Sequence, residues 1–485
     1  MKRLISYAIT LLILAAATIQ AQTPPAKSIA SKTIESLSKG KIELTIPHLG
    51  AGVERIVLEN GLTLYFYEDH KLPLFNVTAL VRCGAIYDPL ERNGLSALVG
   101  GVMRSGGTKS ISGDSLNILL EYIGGSLETT IGTESGSASL SVLAKDQDLG
   151  LKLLADLLRN PAFPQEKLDL AKTDLKNLIK RRNDNPNRMV STYFSNTLYG
   201  DHPYGRILDW SSVKGLTVQD LADYHQRFFV PNGIILGISG DFNKTELLSK
   251  ITQYFGDWKK SSLPLPSQPE VALTYHPGVY QVRKDINQAY LMIGELGIKR
   301  DNPDRYAIGL LNYVLGGGSF TSRLTSRVRS DEGLAYHVAS SFDTYSRDYG
   351  TFAAECQTKS VTAYKATKII TEEIEKIRKE GVTEQELEDA RNSIINSLVF
   401  RFDTSSKIVS NLVSLEYDGY PPDYFEKYLD SYRRVTLADI KRVAEKYLKP
   451  DQLTYIVVGK PETFEKSLSE FGKITNIEPA KPVIE

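Results

Sequence analysis

The chain is poor in histidine, the side chain that most often binds metal ions in proteins. Only six of its 485 residues are histidine, and no two of them lie within one helical turn of each other. Two ligands on one turn are the sequence signature of a zinc site on a helix, so this spacing argues against a catalytic zinc. A site assembled from distant histidines and carboxylates stays open. The histidines stand at positions 48, 70, 202, 225, 276 and 337.

Cysteine is scarcer still, with only Cys83 and Cys356. Each lies in an apolar, strand-like stretch in a different half of the chain. Two buried free thiols are expected, and a disulfide is the alternative in an oxidising compartment. Neither cysteine has a histidine near it in sequence, and no Gly-x-Ser-x-Gly sequence is present. The chain therefore lacks the sequence signs of a nucleophilic hydrolase.

Net charge is absent, because 58 basic groups balance 58 acidic groups. Neither nucleic acid nor an anionic membrane is therefore expected as a main partner. The only long apolar run, residues 4–19, follows Lys2 and Arg3. This layout predicts a signal peptide over residues 1–21, cleaved after Ala21, and export across the inner membrane to the periplasm of a Gram-negative bacterium. An uncleaved anchor is the alternative, although the run is shorter than the ~20 residues of a membrane span. No span is expected after cleavage.

Local patterns predict both strands and helices. Asn60-Gly61, between two apolar runs, predicts a hairpin with a tight primed turn, which needs positive φ at both central residues. Residues 114–123 carry leucines at helical spacing before Gly124-Gly125, a typical helix end. Thr383 with Glu386 predicts a capping box at the start of a later helix.

An internal repeat divides the chain. One offset of 219 residues relates Thr217, Asp220, Leu221, Pro231, Asn232 and Gly240 to Thr436, Asp439, Ile440, Pro450, Asp451 and Gly459. This constant offset predicts two homologous halves with an α+β fold. The predicted divisions are a signal peptide (1–21), an extended arm (22–50), a first half (51–260), a proline-rich linker (261–275), a second half (276–475) and a tail (476–485).

Two stretches carry specific signals. Residues 93–109 read Asn-Gly-Leu-Ser-Ala-Leu-Val-Gly-Gly-Val-Met-Arg-Ser-Gly-Gly-Thr-Lys. In the second half, Leu-Gly-Gly-Gly (315–318), Ser-Arg-Leu (322–324), Val-Arg (328–329) and Gly-Leu-Ala-Tyr (333–336) follow one another. Together they resemble the pitrilysin-like, processing-peptidase family of zinc peptidases, the M16 type. The resemblance covers nearly all of residues 52–470.

The resemblance implies both a fold and a site. Each half is expected to hold antiparallel sheets packed with helices, and the two halves are expected to enclose a chamber. Catalytic members carry an inverted His-x-x-Glu-His motif and a distal Glu, whose equivalents here are Ala97, Gly100, Gly101 and Leu178. None of these four can bind zinc or move a proton, so this chain is expected to bind no metal itself.

The second half keeps the other signature of the family, an Arg and a Tyr seven residues apart, at Arg329 and Tyr336. A guanidinium and a phenol can donate hydrogen bonds to a scissile carbonyl as negative charge develops. Removing one such donor typically costs about 2.7 to 4 kcal/mol of transition-state stabilisation. Arg329 and Tyr336 are the predicted substrate-binding and transition-state-supporting residues, and no residue of this chain alone is predicted to be catalytic. Arg323 and Arg327 are expected to be solvated residues on a helix face.

These observations favour a non-catalytic Arg/Tyr subunit of a heterodimeric zinc peptidase, inactive alone. The partner would be a paralogous chain with an intact inverted motif, which would carry the zinc and the catalytic Glu. Peptide substrates would bind in the chamber between the subunits. A second hypothesis is a pseudo-peptidase that acts as a structural or peptide-binding scaffold. A third, an independent hydrolase using unrecognised residues, is disfavoured because no nucleophile or metal cluster is evident.

Overall fold

The computed structural model of the protein describes residues 52–479. The predicted signal peptide, the predicted arm and the end of the predicted tail lie outside these residues. Within them, no helix is both long and apolar enough to cross a membrane. Cys83 and Cys356 are both buried free thiols, as expected. The division of the chain at residues 260, 275 and 475 stays a prediction.

The first sheet has six strands in the order β1-β2-β6-β3-β5-β4. The strands are β1 (Val53–Val57), β2 (Thr63–Glu68), β3 (Leu74–Val81), β4 (Ser126–Ile131), β5 (Gly136–Leu143) and β6 (Ile234–Gly240). The helices in this part of the chain are α1 (Leu95–Gly106), α2 (Gly113–Ile123), α3 (Gln147–Arg159), α4 (Gln165–Lys180), α5 (Pro186–Tyr199), α6 (Trp210–Val213), α7 (Val218–Phe228) and α8 (Lys244–Phe255). Apolar side chains of the sheet and of α1, α3 and α7 share one core, so burial between sheet and helices stabilises this part of the fold.

The second sheet also has six strands, in the order β12-β7-β11-β8-β10-β9. The strands are β7 (Gly278–Arg283), β8 (Gln288–Leu296), β9 (Ala335–Phe342), β10 (Thr351–Lys359), β11 (Thr454–Gly459) and β12 (Ile474–Ile477). The helices are α9 (Arg305–Asn312), α10 (Ala363–Glu380), α11 (Glu384–Ser397), α12 (Ser405–Tyr417), α13 (Tyr424–Arg434) and α14 (Leu437–Tyr447). Two π-helical turns, Tyr313–Gly317 and Thr325–Asp331, lie between α9 and β9. The predicted α+β class is confirmed.

Both sheets are mixed, so the prediction of antiparallel sheets is wrong. β6 lies between β2 and β3, parallel to β2 and antiparallel to β3. Consecutive strands β2 and β3 run in opposite directions, so a strand inserted between them must be parallel to one of them. The second sheet repeats the arrangement, with β11 parallel to β7 and antiparallel to β8.

The internal repeat marks the elements that lead into these central strands. Thr217 and Thr436 cap α7 and α14, and each forms a capping box with the aspartate three residues further on. Each helix continues through a proline turn into the central strand, β6 or β11. The six matched positions therefore belong to one helix–turn–strand unit that occurs twice.

The predicted hairpin at Asn60-Gly61 forms, but its turn is longer than predicted. The Leu58 N–H donates to the Leu62 carbonyl at 2.9 Å, which encloses three residues. Only Gly61 has positive φ, at +87°, whereas a type I′ turn needs positive φ at both central residues and a type II′ turn needs it at the first, which is Asn60. The Asn60 side-chain amide donates to the Phe255 carbonyl at 2.7 Å, which ties the turn to the end of α8.

The two halves exchange a helix. α5 comes from the first half, and its Val190 and Phe194 join a core with β7, β8 and β11 of the second sheet. α12 comes from the second half and packs on β2, β3 and β6 of the first sheet. Gly237 in β6 makes room for it, because a Cβ there would lie 2.6 Å from a methyl group of Val409. The two helices begin 219 residues apart, so they are equivalent elements of the repeat.

Candidate functional site

Three of the four positions predicted to form a degenerate zinc site line one groove. Ala97 and Gly101 lie one turn apart on α1, and Leu178 lies opposite them on α4. The groove between the two helices has a volume of about 360 Å³. Gly100, the fourth position, faces β4 instead, because a Cβ there would lie 2.7 Å from the Ile131 nitrogen. The predicted set is therefore divided between an open groove and a tightly packed helix–sheet contact.

This groove offers no set of ligands that fits zinc. Its lining is small and aliphatic apart from Ser105, Lys167 and Asp174. The Lys167 ammonium is already paired with Asp114 at 2.9 Å. Zinc in proteins takes imidazole, thiolate or carboxylate ligands, usually three or four of them. Across residues 52–479, no group of three His, Cys, Asp or Glu side chains is placed to hold a metal ion.

The second candidate site brings Arg329 and Tyr336 into contact. Arg329 lies in the π-helical turn Thr325–Asp331, and Tyr336 lies near the start of β9. The guanidinium carbon is 5.1 Å from the centre of the phenol ring. The same carbon is 4.7 Å from the centre of the Phe320 ring. Both distances are typical of cation–π contacts. Sequence spacing could not show this convergence, because Gly333 interrupts any simple helical argument.

Both rings of this cluster are open to solvent. Tyr336 is 84% exposed and Phe320 is 69% exposed. In the part of the chain that the structure describes, no carboxylate forms an ion pair with Arg329. Within the described residues, the guanidinium therefore contacts aromatic rings and forms no ion pair, so its N–H groups can donate to a ligand.

A bulge in an edge strand sets the direction of Tyr336. Among residues 52–479, β9 is the outermost strand of the second sheet and pairs with β10 alone. Ala335 is opposite Thr358 and His337 is opposite Gln357, so Tyr336 is the extra residue between them. Bulges change side-chain direction locally, so strict alternation along the strand fails here. Tyr336 and His337 are accordingly both exposed.

Close packing of the glycine run fixes the segment before this site. A Cβ on Gly316 would lie 2.4 Å from the Ser340 nitrogen in β9. Asn312 donates to the Ser340 carbonyl at 3.1 Å and accepts from its hydroxyl at 2.7 Å. Ser319, just before Phe320, has φ of +52°, which is rare for a residue with a side chain. Gly316, the first glycine of the Leu-Gly-Gly-Gly sequence, is therefore explained by its contact with β9.

Arg323 is not a solvated helix-face residue, so that expectation is wrong. Its Nε and Nη2 atoms each donate to one carboxylate oxygen of Glu386, both at 2.7 Å. Glu386 also forms the predicted capping box with Thr383 at the start of α11. Burial alone would raise the pKa of Glu386, but hydrogen bonds from Arg323 and Thr383 outweigh it and lower that pKa to about 2. Arg323 therefore anchors the chain segment that leads to Arg329.

Two family models match the chain. The model described as "Insulinase (Peptidase family M16)" matches residues 67–209, and the model described as "Peptidase M16 inactive domain" matches residues 215–394. Together the two matches cover more than half of the chain. The chain belongs to the peptidase M16 family.

Relatives of this M16 protein carry contrasting names. The "Non-peptidase homolog YmxG" of Helicobacter pylori is 25% identical over 402 residues, which is 81% of this chain and 91% of that protein. An "uncharacterized zinc protease" of Mycobacterium leprae is 25% identical over 334 residues, 68% of this chain and 74% of that protein. The crystal structure of a peptidase M16 inactive domain from Pseudomonas fluorescens matches with a TM-score of 0.78 at 24% identity, covering 86% of this chain and 99% of that chain, which shows a shared fold.

Sequence reasoning missed a polar bridge between the halves of this M16 protein. Tyr204 stacks on Tyr345 with ring centres 3.6 Å apart, and its hydroxyl donates to Glu134 at 2.7 Å. The other oxygen of Glu134 accepts from the Ser346 N–H at 2.7 Å. Sequence reasoning also missed Phe320. Its position between Gly-Gly-Gly and Ser-Arg-Leu assigns it to the same segment, but no spacing rule predicts its contact with Arg329.

Proposed function

We propose that this M16 protein is a non-catalytic subunit of a heterodimeric zinc peptidase. It binds peptide and presents Arg329 and Tyr336 to the active site of its partner. The observation that carries the proposal is the contact between Arg329 and Tyr336 beside the edge strand β9. In the same chain, three of the four positions equivalent to the family's zinc site line a groove that offers no set of zinc ligands. The partner is a paralogous M16 chain that keeps the inverted motif and supplies the zinc and the catalytic Glu. Peptide binds in a chamber between the two chains.

The role of this chain is to hold and polarise the peptide. β9 is the edge strand of its sheet, and the Val338 and Ser340 carbonyls there already accept hydrogen bonds from the Thr325 and Asn312 side chains. We therefore expect an extended peptide to add through backbone hydrogen bonds at the start of β9, beside Tyr336. Tyr336 leaves the strand at the bulge, next to the backbone of such a peptide. Its hydroxyl and the Arg329 guanidinium can then donate hydrogen bonds to the scissile or a neighbouring carbonyl as negative charge develops on it.

The periplasm is the proposed location, and it rests on the predicted signal peptide alone. Residues 1–21 would be removed on export, and the mature chain would meet its partner outside the inner membrane. Detection of the mature chain in the periplasmic fraction, with Gln22 as its first residue, is the expected result.

A peptide-binding scaffold without any proteolytic role is the second candidate function. The name of the Helicobacter pylori relative, a non-peptidase homolog, favours this function. The apolar groove at Ala97, Gly101 and Leu178 is consistent with it as well, because a scaffold needs no metal. In this case the edge of β9 would hold peptide without hydrolysis.

Peptide hydrolysis by the chain lacking residues 1–21 tests the proposal, with and without the paralogue encoded beside it, in zinc-supplemented buffer. Activity only in the mixture supports the split active site. No activity even with a stably bound paralogue supports the scaffold. Tyr336→Phe should lower kcat of the mixture by about 100-fold or more without weakening assembly. Tyr122→Phe is the matched control, because Tyr122 on α2 is 87% exposed. A Tyr336→Phe mixture as active as wild type would remove the assigned role.

A further inference from the structure

We propose that Phe320 is a positioning residue that holds the Arg329 guanidinium in place for peptide binding. The inference deepens the proposed function, on which its hydrolysis arm rests. Of the two ring contacts that Arg329 makes, the contact with Phe320 is the shorter, 4.7 Å against 5.1 Å for Tyr336. Core packing does not explain an aromatic residue here, because 69% of its surface remains exposed.

The Phe320 ring suits this positioning role because it leaves the N–H donors of Arg329 free. A partly exposed arginine such as Arg329 still samples several rotamers, and ordering it on binding weakens affinity. An aromatic face attracts the guanidinium through its quadrupole and so restricts the side chain. A carboxylate would restrict it too, but would also occupy its N–H donors. With rings as its neighbours, Arg329 keeps these donors available for a peptide carbonyl or carboxylate.

The backbone around Phe320 is built to hold the ring in one place. The Thr321 hydroxyl donates to the Gly318 carbonyl, and the Ser322 hydroxyl donates to the Ser319 carbonyl, both at 2.9 Å. Side-chain bonds of this kind fix short turns. Ser319 adopts its unfavourable positive φ within this same turn, and such local strain persists only where the surroundings impose it. The turn therefore presents Phe320 to Arg329.

The direct test is the rate at which phenylglyoxal, a reagent for guanidinium groups, modifies Arg329, followed by peptide mass spectrometry. In the Phe320→Leu variant we expect Arg329 to react about two- to fivefold faster, because loss of a ring contact of this kind frees the group by about that factor. Phe320→Tyr keeps the ring and should restore the wild-type rate. Phe400→Leu is the control, since Phe400 is 68% exposed on another segment, and it should leave the rate at Arg329 unchanged.

The second arm measures hydrolysis of peptide by each variant mixed with the zinc-binding paralogue. Faster modification together with a severalfold lower kcat/KM for Phe320→Leu, rescued by Phe320→Tyr, supports the positioning role. An unchanged modification rate overturns it, whatever the hydrolysis shows. Faster modification with unchanged hydrolysis in an active mixture also overturns it. If no mixture hydrolyses peptide, including wild type, faster modification still supports the hold of Phe320 on Arg329, and the proposed function is what fails.

Discussion

Glu416 accepts two hydrogen bonds from Arg55, at 2.7 Å from Nε and 2.6 Å from Nη2. Arg55 belongs to β1 and Glu416 to the exchanged helix α12, so the pair lies where the second half meets the first sheet. The Tyr65 hydroxyl, from β2, donates to the same carboxylate. A two-point ion pair fixes angle as well as distance. It therefore defines how α12 sits on the sheet.

Glu416→Gln is expected to lower the free energy of unfolding by about 1 to 2 kcal/mol at neutral pH, because the charged pair is only partly buried. Urea denaturation measures the difference. Hydrogen bonds from Arg55 lower the pKa of Glu416. The wild-type advantage should therefore be present above the ordinary carboxyl pKa and be lost as the pH falls through the lowered value.

Glu445→Gln is the control for this prediction, because it removes an exposed pair with Lys441 within α14. It should change the free energy of unfolding by less than about 0.5 kcal/mol. Equal losses in the two variants would mean that the Arg55–Glu416 pair adds nothing beyond an ordinary surface pair.

Substitution by alanine should change the free energy of unfolding in opposite directions at Gly100 and Gly101. Gly101→Ala is expected to raise the free energy of unfolding by about 0.5 to 1 kcal/mol, because alanine favours the helix and a Cβ there meets nothing within 4 Å. Gly100→Ala should lower it by about 1 to 3 kcal/mol, because its Cβ would crowd the Ile131 nitrogen at 2.7 Å. Denaturation of both variants is the measurement. Similar effects at the two positions would contradict the packing of α1 on β4.

The local elements of this chain could be predicted because their signals are short in range. Thr383 with Glu386, and the leucines before Gly124, each specify a helix end through residues a few positions apart. The repeat added long-range information, since one constant offset identified α7 with α14 and β6 with β11. It could not show that the sheets are mixed, because strand direction depends on where the returning strand inserts.

The exchanged helices and the role of Phe320 lay beyond the sequence for a related reason. An apolar face such as that of α5 has the same pattern whichever sheet it covers, so only the path of the chain decides the partner. Arg329 and Tyr336 were chosen by resemblance, and their contact became visible only once the π-helical turn and the bulge in β9 were known. No spacing rule would have joined Phe320 to them.

The capping box of Thr383 and Glu386 should contribute more to the free energy of unfolding than the capping box of Thr436 and Asp439. The reason is that Arg323 donates two hydrogen bonds to Glu386. Glu386→Gln is expected to lower the free energy of unfolding by about 2 to 3 kcal/mol. It weakens both the two hydrogen bonds from Arg323 and the capping box with Thr383. Asp439→Asn is the control, since Asp439 forms the same capping box on α14 without a forked arginine. It should cost about 1 kcal/mol. Calorimetric unfolding of the two variants checks the difference, and equal losses would remove the anchoring role of Arg323.

The pH profile of Glu386→Gln supplies a second check. The pKa of Glu386 is lowered to about 2 in the folded protein, below its ordinary value of 4.5. The stability that it contributes should therefore be complete above about pH 4.5 and decline as the pH falls towards 2. The difference in free energy of unfolding between wild type and variant should become smaller as the pH falls through that range. A difference that stayed constant would be inconsistent with an ionised Glu386 carboxylate that is hydrogen-bonded to Arg323.

Glu295 should give the opposite pH dependence. It lies at 1% exposure near the end of β8, and one oxygen accepts from the Lys449 N–H at 2.8 Å. Its other oxygen has no hydrogen-bond partner among residues 52–479. Burial raises the pKa of Glu295 to about 8, so the group is protonated in the folded protein at neutral pH. Stability that depends on this proton should be complete below about pH 4.5 and decline as the pH rises towards 8.

Glu295→Gln isolates this contribution, because the amide keeps a neutral acceptor for Lys449 and cannot ionise. The stability of the variant relative to wild type should increase between about pH 4.5 and 8 and then stay level, since both the folded and the unfolded wild type are ionised above that range. Urea denaturation at about pH 5, 7 and 9 measures this. A relative stability that does not change with pH would contradict the prediction, because it would mean that Glu295 is ionised in the folded protein.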